Sequence, residues 1–265
     1  MNAHNGNDRA AWLEGPSAQC SVIPQKNSPA LRLVLLGAPG VGKGTQAELL
    51  NQQLGVCHLS TGDVFREACH RNQTYQTPAM AAALDGMRQG HLVTDETVWE
   101  LVRERAGCLS CRGGFVLDGF PRTVGQAESL RLLLEAKQLP LHAVLNYELP
   151  IAEIVCRLSG RRTCQKCKSI FHVSTKPATE VTCDHCGGRL LQREDDRPES
   201  IAVRMDAYQR CTAPLIEFYQ RLGLLKRVDA TGRPEEICQR ALAVIAARST
   251  SEPFIGSTAA AQAVF

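Results

Sequence analysis

The apolar positions of the chain fall into short runs set between stretches of helical spacing. Leu33 to Leu36 is a run that stops at Gly37, too short for a helix, and it predicts a strand buried on both faces. From Gln46 to Leu54 apolar residues recur at helical spacing, and Gly55 ends the helix. Val56 to Leu59 predicts a short strand. Ser60 and Asp63 are spaced as a capping box for a helix running to about Arg71. Further helices are predicted over Pro78 to Gln89, stopped by Gly90, and from Asp95 and Glu96 to about Arg105, with Val98, Leu101 and Val102 as the apolar side. Phe115 to Leu117 predicts a strand ending in Asp118, and Gln126 to Lys137 a helix. Ala143 to Leu149 reads as a strand and Ile151 to Ser159 as a helix. Pro198 to Leu222 is a long amphipathic stretch with a kink expected at Pro214. Leu225 to Val228 predicts a last strand and Pro234 to Ala247 a last helix. Strands alternating with helices predict an α/β fold, a parallel sheet core covered by helices on both faces.

Composition narrows this picture. Of 265 residues, 44% are hydrophobic and 22% charged, as in an ordinary globular chain, and the net charge of +3 makes no electrostatic case for a nucleic-acid partner. No apolar run approaches the ~20 residues of a membrane helix. Residues 1–30 are rich in Asn, Gly, Ser, Pro and Gln without periodicity and read as a flexible extension. Residues 249–265, rich in Ser and Ala, read as a flexible tail. The extension has no apolar signal core, and its Arg9 and Lys26 are matched by Asp8 and Glu14. A cytoplasmic protein is therefore expected, with organelle import as the minor reading. Twelve cysteines include the pairs Cys164–Cys167 and Cys183–Cys186, and they suit a reducing compartment with one metal site better than a disulfide framework. Cys108 and Cys111 form a third pair that reads as incidental.

The candidate chemistry begins directly after the first strand. Gly37, Gly40, Gly42, Lys43, Gly44 and Thr45 form a Gly-rich loop that opens a helix. Such a loop turns backbone N–H groups toward one point, the helix end adds partial positive charge, and the Lys reaches the outer phosphates of a bound nucleotide. The strict motif has Ser or Thr directly after the Lys; here Gly44 intervenes before Thr45. Asp118 stands at a strand's C-terminal edge, where ligands bind in a parallel sheet, and suits a place near Mg²⁺. The two CxxC knuckles supply four thiolates for a closed, structural Zn²⁺ site, with Gly187 and Gly188 free to bond the sulfurs. Arg66, Arg122, Arg157, Arg161, Arg162, Arg193 and Arg204 are candidates to offset phosphate repulsion. No Ser-His-Asp arrangement or carboxylate pair argues for another chemistry.

These residues stand in the motifs GAPGVGKGTQ (37–46), LSTGDVFR (59–66), GFVLDGFPRT (114–123), SGRR (159–162), CQKC…CDHCGG and REDDRPESIAVRMDAY (193–208), and in that order they resemble the adenylate kinases of the long, zinc-lid form. The resemblance implies a domain over 31–248, with a core of 31–59, 92–159 and 198–248, an AMP-binding insert at 60–91 and a zinc lid at 160–197. It implies reversible transfer of the ATP terminal phosphoryl group to AMP, giving two ADP, with Mg²⁺, by a monomer with no nucleic-acid or membrane partner. For ATP it implies Gly40, Val41, Gly42, Lys43, Gly44, Thr45, Arg157, Arg161 and Gly232. For AMP it implies Thr61, Arg66, Val93, Gly119, Phe120, Pro121, Arg122, Gln126, Arg193 and Arg204. Lys43, Asp118, Arg122, Arg161, Arg193 and Arg204 would form the catalytic set, and Cys164, Cys167, Cys183 and Cys186 the metal site. Asp195 and Asp196 match the lid's acidic pair. Phe171 stands where a Tyr is common, and the segment 228–234 is one residue longer than usual. The competing readings are a kinase for another nucleoside monophosphate and a P-loop ATPase with a zinc-ribbon interaction module.

Overall fold

The structure is a computed structural model and describes residues 12–13, 30–70, 93–167, 169–174 and 181–247, the side chains of 66–70 excepted. The helix expected at 78–89, the tail, and all of the extension but Trp12, Leu13 and residue 30 lie outside the described residues. In chain order the elements are β1 (Leu31–Leu36), α1 (Lys43–Leu54), β2 (Cys57–Ser60), α2 (Thr61–His70), α3 (Asp95–Glu104), β3 (Gly114–Asp118), α4 (Val124–Ala136), β4 (Ala143–Glu148), α5 (Ile151–Gly160), β5 (Arg161–Cys164), β6 (Ile170–His172), β7 (Leu190–Leu191), α6 (Pro198–Ala207), α7 (Pro214–Arg221), β8 (Leu225–Asp229) and α8 (Pro234–Ala246).

The run Leu33 to Leu36 is continuous because β1 is buried on both faces. It lies in the middle of a five-stranded sheet of order β2-β3-β1-β4-β8, in which every neighbouring pair is parallel. Val34 and Leu36 enter one apolar layer with Leu59, Phe115, Leu117 and Val144, which α3, α4 and α7 close through Val98, Leu101, Leu130, Leu134, Leu215 and Tyr219. Leu33 and Leu35 enter the other with Val116, Leu145 and Tyr147, closed by α1, α5 and α8 through Ala47, Leu50, Leu158, Ile237 and Ala241.

The strand order positions the site. From β1 the chain moves out to β2, returns as β3 on one side of β1, then crosses to β4 on the other. The direction of winding thus changes at β1 and leaves a crevice at its C-terminal end. The register sets Leu35 and Ser60 beside Asp118, and Leu36 beside Asn146, along that edge.

Two features differ from the sequence reading. The break in the 198–222 stretch is a wide turn over Tyr208–Thr212, closed by Ala213 N–H donating to the Tyr208 carbonyl at 2.8 Å. Pro214 has no N–H to give and its ring crowds the turn before it, so the chain widens ahead of the proline. Second, the expectation of a flexible extension fails at Trp12, which is fully buried in the α3–α4 layer. The Cys-rich segment forms a separate antiparallel sheet of order β6-β5-β7.

Phe115, the second residue of β3, is fully buried. Phe115→Ala is expected to lower unfolding free energy by about 3–5 kcal/mol, read from the urea midpoint at unchanged slope.

Candidate active site

The loop between β1 and α1 is held in a conformation that needs glycine. Gly40 has φ +88° and Gly42 φ +98°, and a Cβ on Gly40 would lie 2.7 Å from Leu158 Cγ. Helix α1 starts at Lys43 with Gly42 before it and no side-chain cap. Gly44 and Thr45 lie in its first turn, where amide N–H groups have no helical carbonyl one turn earlier to bond and so suit an anion. Val41 is buried beneath the loop. Lys43 Nζ donates to the carbonyls of Gly37 at 2.7 Å and Ala38 at 3.0 Å, reaching back across its own loop.

Burial brings the Lys43 pKa down to about 8. The Asp118 carboxylate opposes this, while the charges of Arg122, Arg204 and Arg161 push the same way as burial. Asp118 is itself half-buried at the end of β3. Burial acts to raise its pKa, but hydrogen bonding and charge from His58, with the charge of Lys43, bring the carboxyl below its ordinary value. His58 Nε2 stands 3.6 Å from Asp118 Oδ2. The structure therefore gathers Asp118, Arg122, Arg161 and Arg204 around Lys43.

Each of these arginines is oriented. Arg122 Nε donates to the Gly119 carbonyl at 2.8 Å. Arg161 grips Asp196 with two parallel bonds of 2.7 and 2.5 Å. Arg204 Nη1 reaches the Asp195 carbonyl at 2.9 Å, its carboxylate at 3.0 Å and Asp196 at 3.1 Å. Asp196 is fully buried between the two guanidinium groups. Arg193 and Arg157 stand elsewhere. Arg193 Nε donates to Thr163 Oγ1 at 2.9 Å in the small sheet. Arg157 donates to the carbonyls of Val41 at 3.4 Å and Ala230 at 2.9 Å, bridging the phosphate loop to the turn that carries Gly232. Gly232, at φ +91°, precedes α8 beside Glu236.

A pocket opens next to this cluster. Thr61, Gly62 and Phe65 of α2, Val93 and Val98 at α3, and Gly119, Arg122 and Gln126 line it. Thr61 Oγ1 donates to the Gly119 carbonyl at 3.1 Å. Phe120 is buried below, joined to Pro121 by a cis peptide. Arg66 follows in α2, its side chain outside the described ones. Gln126 is locked from two sides: its Oε1 accepts Arg122 N–H at 2.7 Å and its Nε2 donates to Asp95 Oδ1 at 2.7 Å. Asp95 also accepts from Thr123 Oγ1 at 2.5 Å, and Thr212 Oγ1, in the wide turn, donates to the Arg122 carbonyl at 2.9 Å. Sequence reasoning missed Asp95 and Thr212. Their spacing to the site carries no periodicity.

In the small sheet the sulfurs of Cys164, Cys167, Cys183 and Cys186 all lie within 4.8 Å of one another. Edges of 3.5 Å join Cys164 to Cys186 and Cys167 to Cys183. Four thiolates at about 2.3 Å from a zinc ion would stand about 3.8 Å apart, so the donor set fits. A Cβ on Gly188 would come within 2.9 Å of Cys164 Sγ, so glycine keeps the cradle open. His172 bonds instead to Ser174 and the Cys156 carbonyl. The Cys108–Cys111 pair stays apart from this cluster, and Cys111 Sγ meets Cys57 Sγ at 3.1 Å.

A phosphate-type loop at the central strand of a parallel sheet, facing a second pocket across a cluster of cations, defines a P-loop α/β protein built for a nucleotide and a second ligand. The sequence profile of the family described as adenylate kinase matches residues 35–224. The adenylate kinase of Carboxydothermus hydrogenoformans is 45% identical over 208 residues, covering 78% of this chain and 95% of the relative. That of Caldicellulosiruptor saccharolyticus is 47% identical over 206 residues, covering 77% and 93%. That of Streptomyces coelicolor is 44% identical over 214 residues, covering 80% and 97%. The chain belongs to the adenylate kinase family.

The depressed Lys43 pKa has a consequence for stability. The folded value near 8 lies below the ordinary 10.5, so between these pH values the unfolded chain holds a proton that the folded one has released. Stability from this group is lowest below pH 8 and rises with pH through that window. The unfolding free energy of the wild type relative to Lys43→Met is expected to increase from pH 7.5 to pH 10, measured by denaturant titration at each pH.

Proposed function

We propose that the chain transfers the terminal phosphoryl group of ATP to AMP, reversibly, giving two ADP. The observation that carries this reading is the convergence of Asp118, Arg122, Arg161 and Arg204 on Lys43, between a phosphate-type loop and a second pocket. An oxygen of the AMP phosphate forms the new bond to the transferred phosphorus as the bond to the ADP oxygen breaks. Both partners are highly anionic, so positioning and charge stabilisation supply the catalysis and no protein nucleophile is needed.

In this reading Gly40 to Thr45 hold the donor phosphates through backbone N–H groups. Arg157 lies over the adenine, and the Gly232 turn meets its edge. Lys43, Arg122, Arg161 and Arg204 surround the transferring group, and Arg193, bonded to Thr163 in the structure, joins them when the lid closes. Thr61, Arg66, Val93, the Gly119–Arg122 turn and Gln126 bind AMP, with Arg193 and Arg204 reaching its phosphate. Asp118 is the carboxylate that would hold Mg²⁺, directly or through water, and the ion would neutralise phosphate charge on the nucleotide. Residues 60–91 act as the AMP-binding insert and 160–197 as a lid that excludes water, with 31–59, 92–159 and 198–248 as the core. Zn²⁺ on the four cysteines would fold the lid and take no part in the chemistry. In this reading the chain acts as a monomer. Among the described residues no helix is long and apolar enough to cross a membrane.

An assay with ATP and AMP tests the reading. Lys43→Met and Arg122→Ala should each lose about a hundredfold or more in kcat with the fold retained. Equal or better turnover with UMP in place of AMP would overturn the assignment. Cys164→Ser should lower both bound zinc and the melting temperature while kcat at low temperature stays near wild type. Unchanged zinc content and melting would remove the zinc reading.

A further inference from the structure

Trp12 lies outside the residues that the family profile matches, 35–224, yet it is fully buried in the main core. It touches two elements at once. Its indole N–H donates to the Ser60 carbonyl at 3.0 Å, at the end of the edge strand β2. Its own carbonyl accepts from Arg105 Nε at 2.6 Å. Arg105 follows the last residue of α3 and also bonds the Leu101 carbonyl at 3.3 Å. One residue thus joins the end of β2 to the end of α3.

Those two ends lead directly into the walls of the second pocket. Ser60 Oγ accepts from Asp63 N–H at 3.2 Å and so starts α2, which brings Thr61 and Phe65 to the pocket. Helix α3 brings Val98 to the same pocket, and at its other end Asp95 fixes Gln126. Trp12 belongs to the apolar cluster that also holds Val64, Phe65 and Val98. A large rigid ring with a satisfied N–H fixes both distance and angle between the elements it meets.

We propose that Trp12 is a positioning residue for the acceptor pocket. It holds α2 and α3 in the separation that AMP requires, so a residue of the N-terminal extension sets acceptor affinity without touching the acceptor. This rests on the reading of that pocket as the AMP site. The donor side, built on α1 and the loop before it, has no described contact with Trp12.

The test compares Trp12→Ala, which removes ring and N–H, with Trp12→Phe, which keeps an aromatic ring and loses the bond to Ser60. KM for AMP at saturating ATP, KM for ATP at saturating AMP, kcat and melting temperature are measured for each. The Ala variant should raise the AMP KM by about fivefold or more with the ATP KM within about twofold, and the Phe variant should fall between it and wild type. An AMP KM within twofold of wild type in the folded variants overturns the inference even if melting falls, since that is a merely structural role. Equal increases in both KM values also overturn it. Should the Ala variant fail to fold, the Phe variant decides alone: an AMP KM at the wild-type value is the overturning result. Wild-type turnover is measured first. Its absence defeats the function assigned to the pocket and this inference with it, whereas turnover with an AMP KM indifferent to Trp12 defeats this inference alone.

Discussion

Lys43 bonds to the carbonyls of Gly37 and Ala38 at the mouth of its own loop, and much of the molecule follows from keeping that cation there. Its ammonium group is shielded from water and faces three arginines, which lower its hold on a proton. Such an arrangement is poor for stability and good for binding anions. The parallel sheet makes it possible. Leu35 of β1 pairs with Asp118 of β3, so the carboxylate that offsets the Lys43 charge is delivered by strand register rather than by a flexible loop. The loop glycines then allow backbone N–H groups to face the same space, as positive φ at Gly40 and Gly42 requires. A polyanion seated there supplies the opposite charge that the resting site lacks.

The arginines meet the same constraint by a different device. Arg161 lies at the start of the small sheet and Arg204 on α6, and both converge on Asp196, which is fully buried. A carboxylate so placed is stable only while paired, and loss of either arginine would leave charge stranded. Asp196 therefore ties the segment expected to act as a lid to the core helix behind it. In the proposed cycle, phosphate oxygens compete with Asp195 and Asp196 for these guanidinium groups, so nucleotide binding and movement of this segment are linked through shared partners.

The sequence made legible what depends on local pattern. The run Leu33 to Leu36, the glycines around Lys43, the apolar face of Val98, Leu101 and Val102, and the Cys spacing all report a period, a turn requirement or a donor count. What stayed hidden depends on contacts between distant segments. Trp12 sits in the short run Ala10 to Leu13, which has no helical or strand period, and only its bonds to the Ser60 carbonyl and from Arg105 show why it is buried. Asp95 looked like an ordinary first-turn acid, and it is one, but its carboxylate is spent on Thr123 and Gln126. Pro214 signalled a break correctly. It could not show that the break would be a widened turn aiming Thr212 at the Arg122 carbonyl.

Gln126 shows how such hidden contacts bear on the choice of base. Its amide cannot turn over. The Arg122 N–H requires an oxygen where Oε1 lies, and the Asp95 carboxylate requires an N–H where Nε2 lies. Two bonding positions are taken, and one N–H and one lone pair remain in fixed order toward the pocket. Adenine presents an amino donor beside a ring acceptor on its pairing edge, whereas uracil presents a carbonyl acceptor beside a ring donor. For a base held in one place, these two edges demand opposite orders of the amide. Turning Gln126, which is buried, to suit uracil would set N–H against N–H at Arg122 and oxygen against oxygen at Asp95, a costly exchange for an amide shielded from water. Under the proposed reading, discrimination for adenine thus resides less in Gln126 than in Asp95 and the Arg122 backbone, which refuse the amide its other orientation.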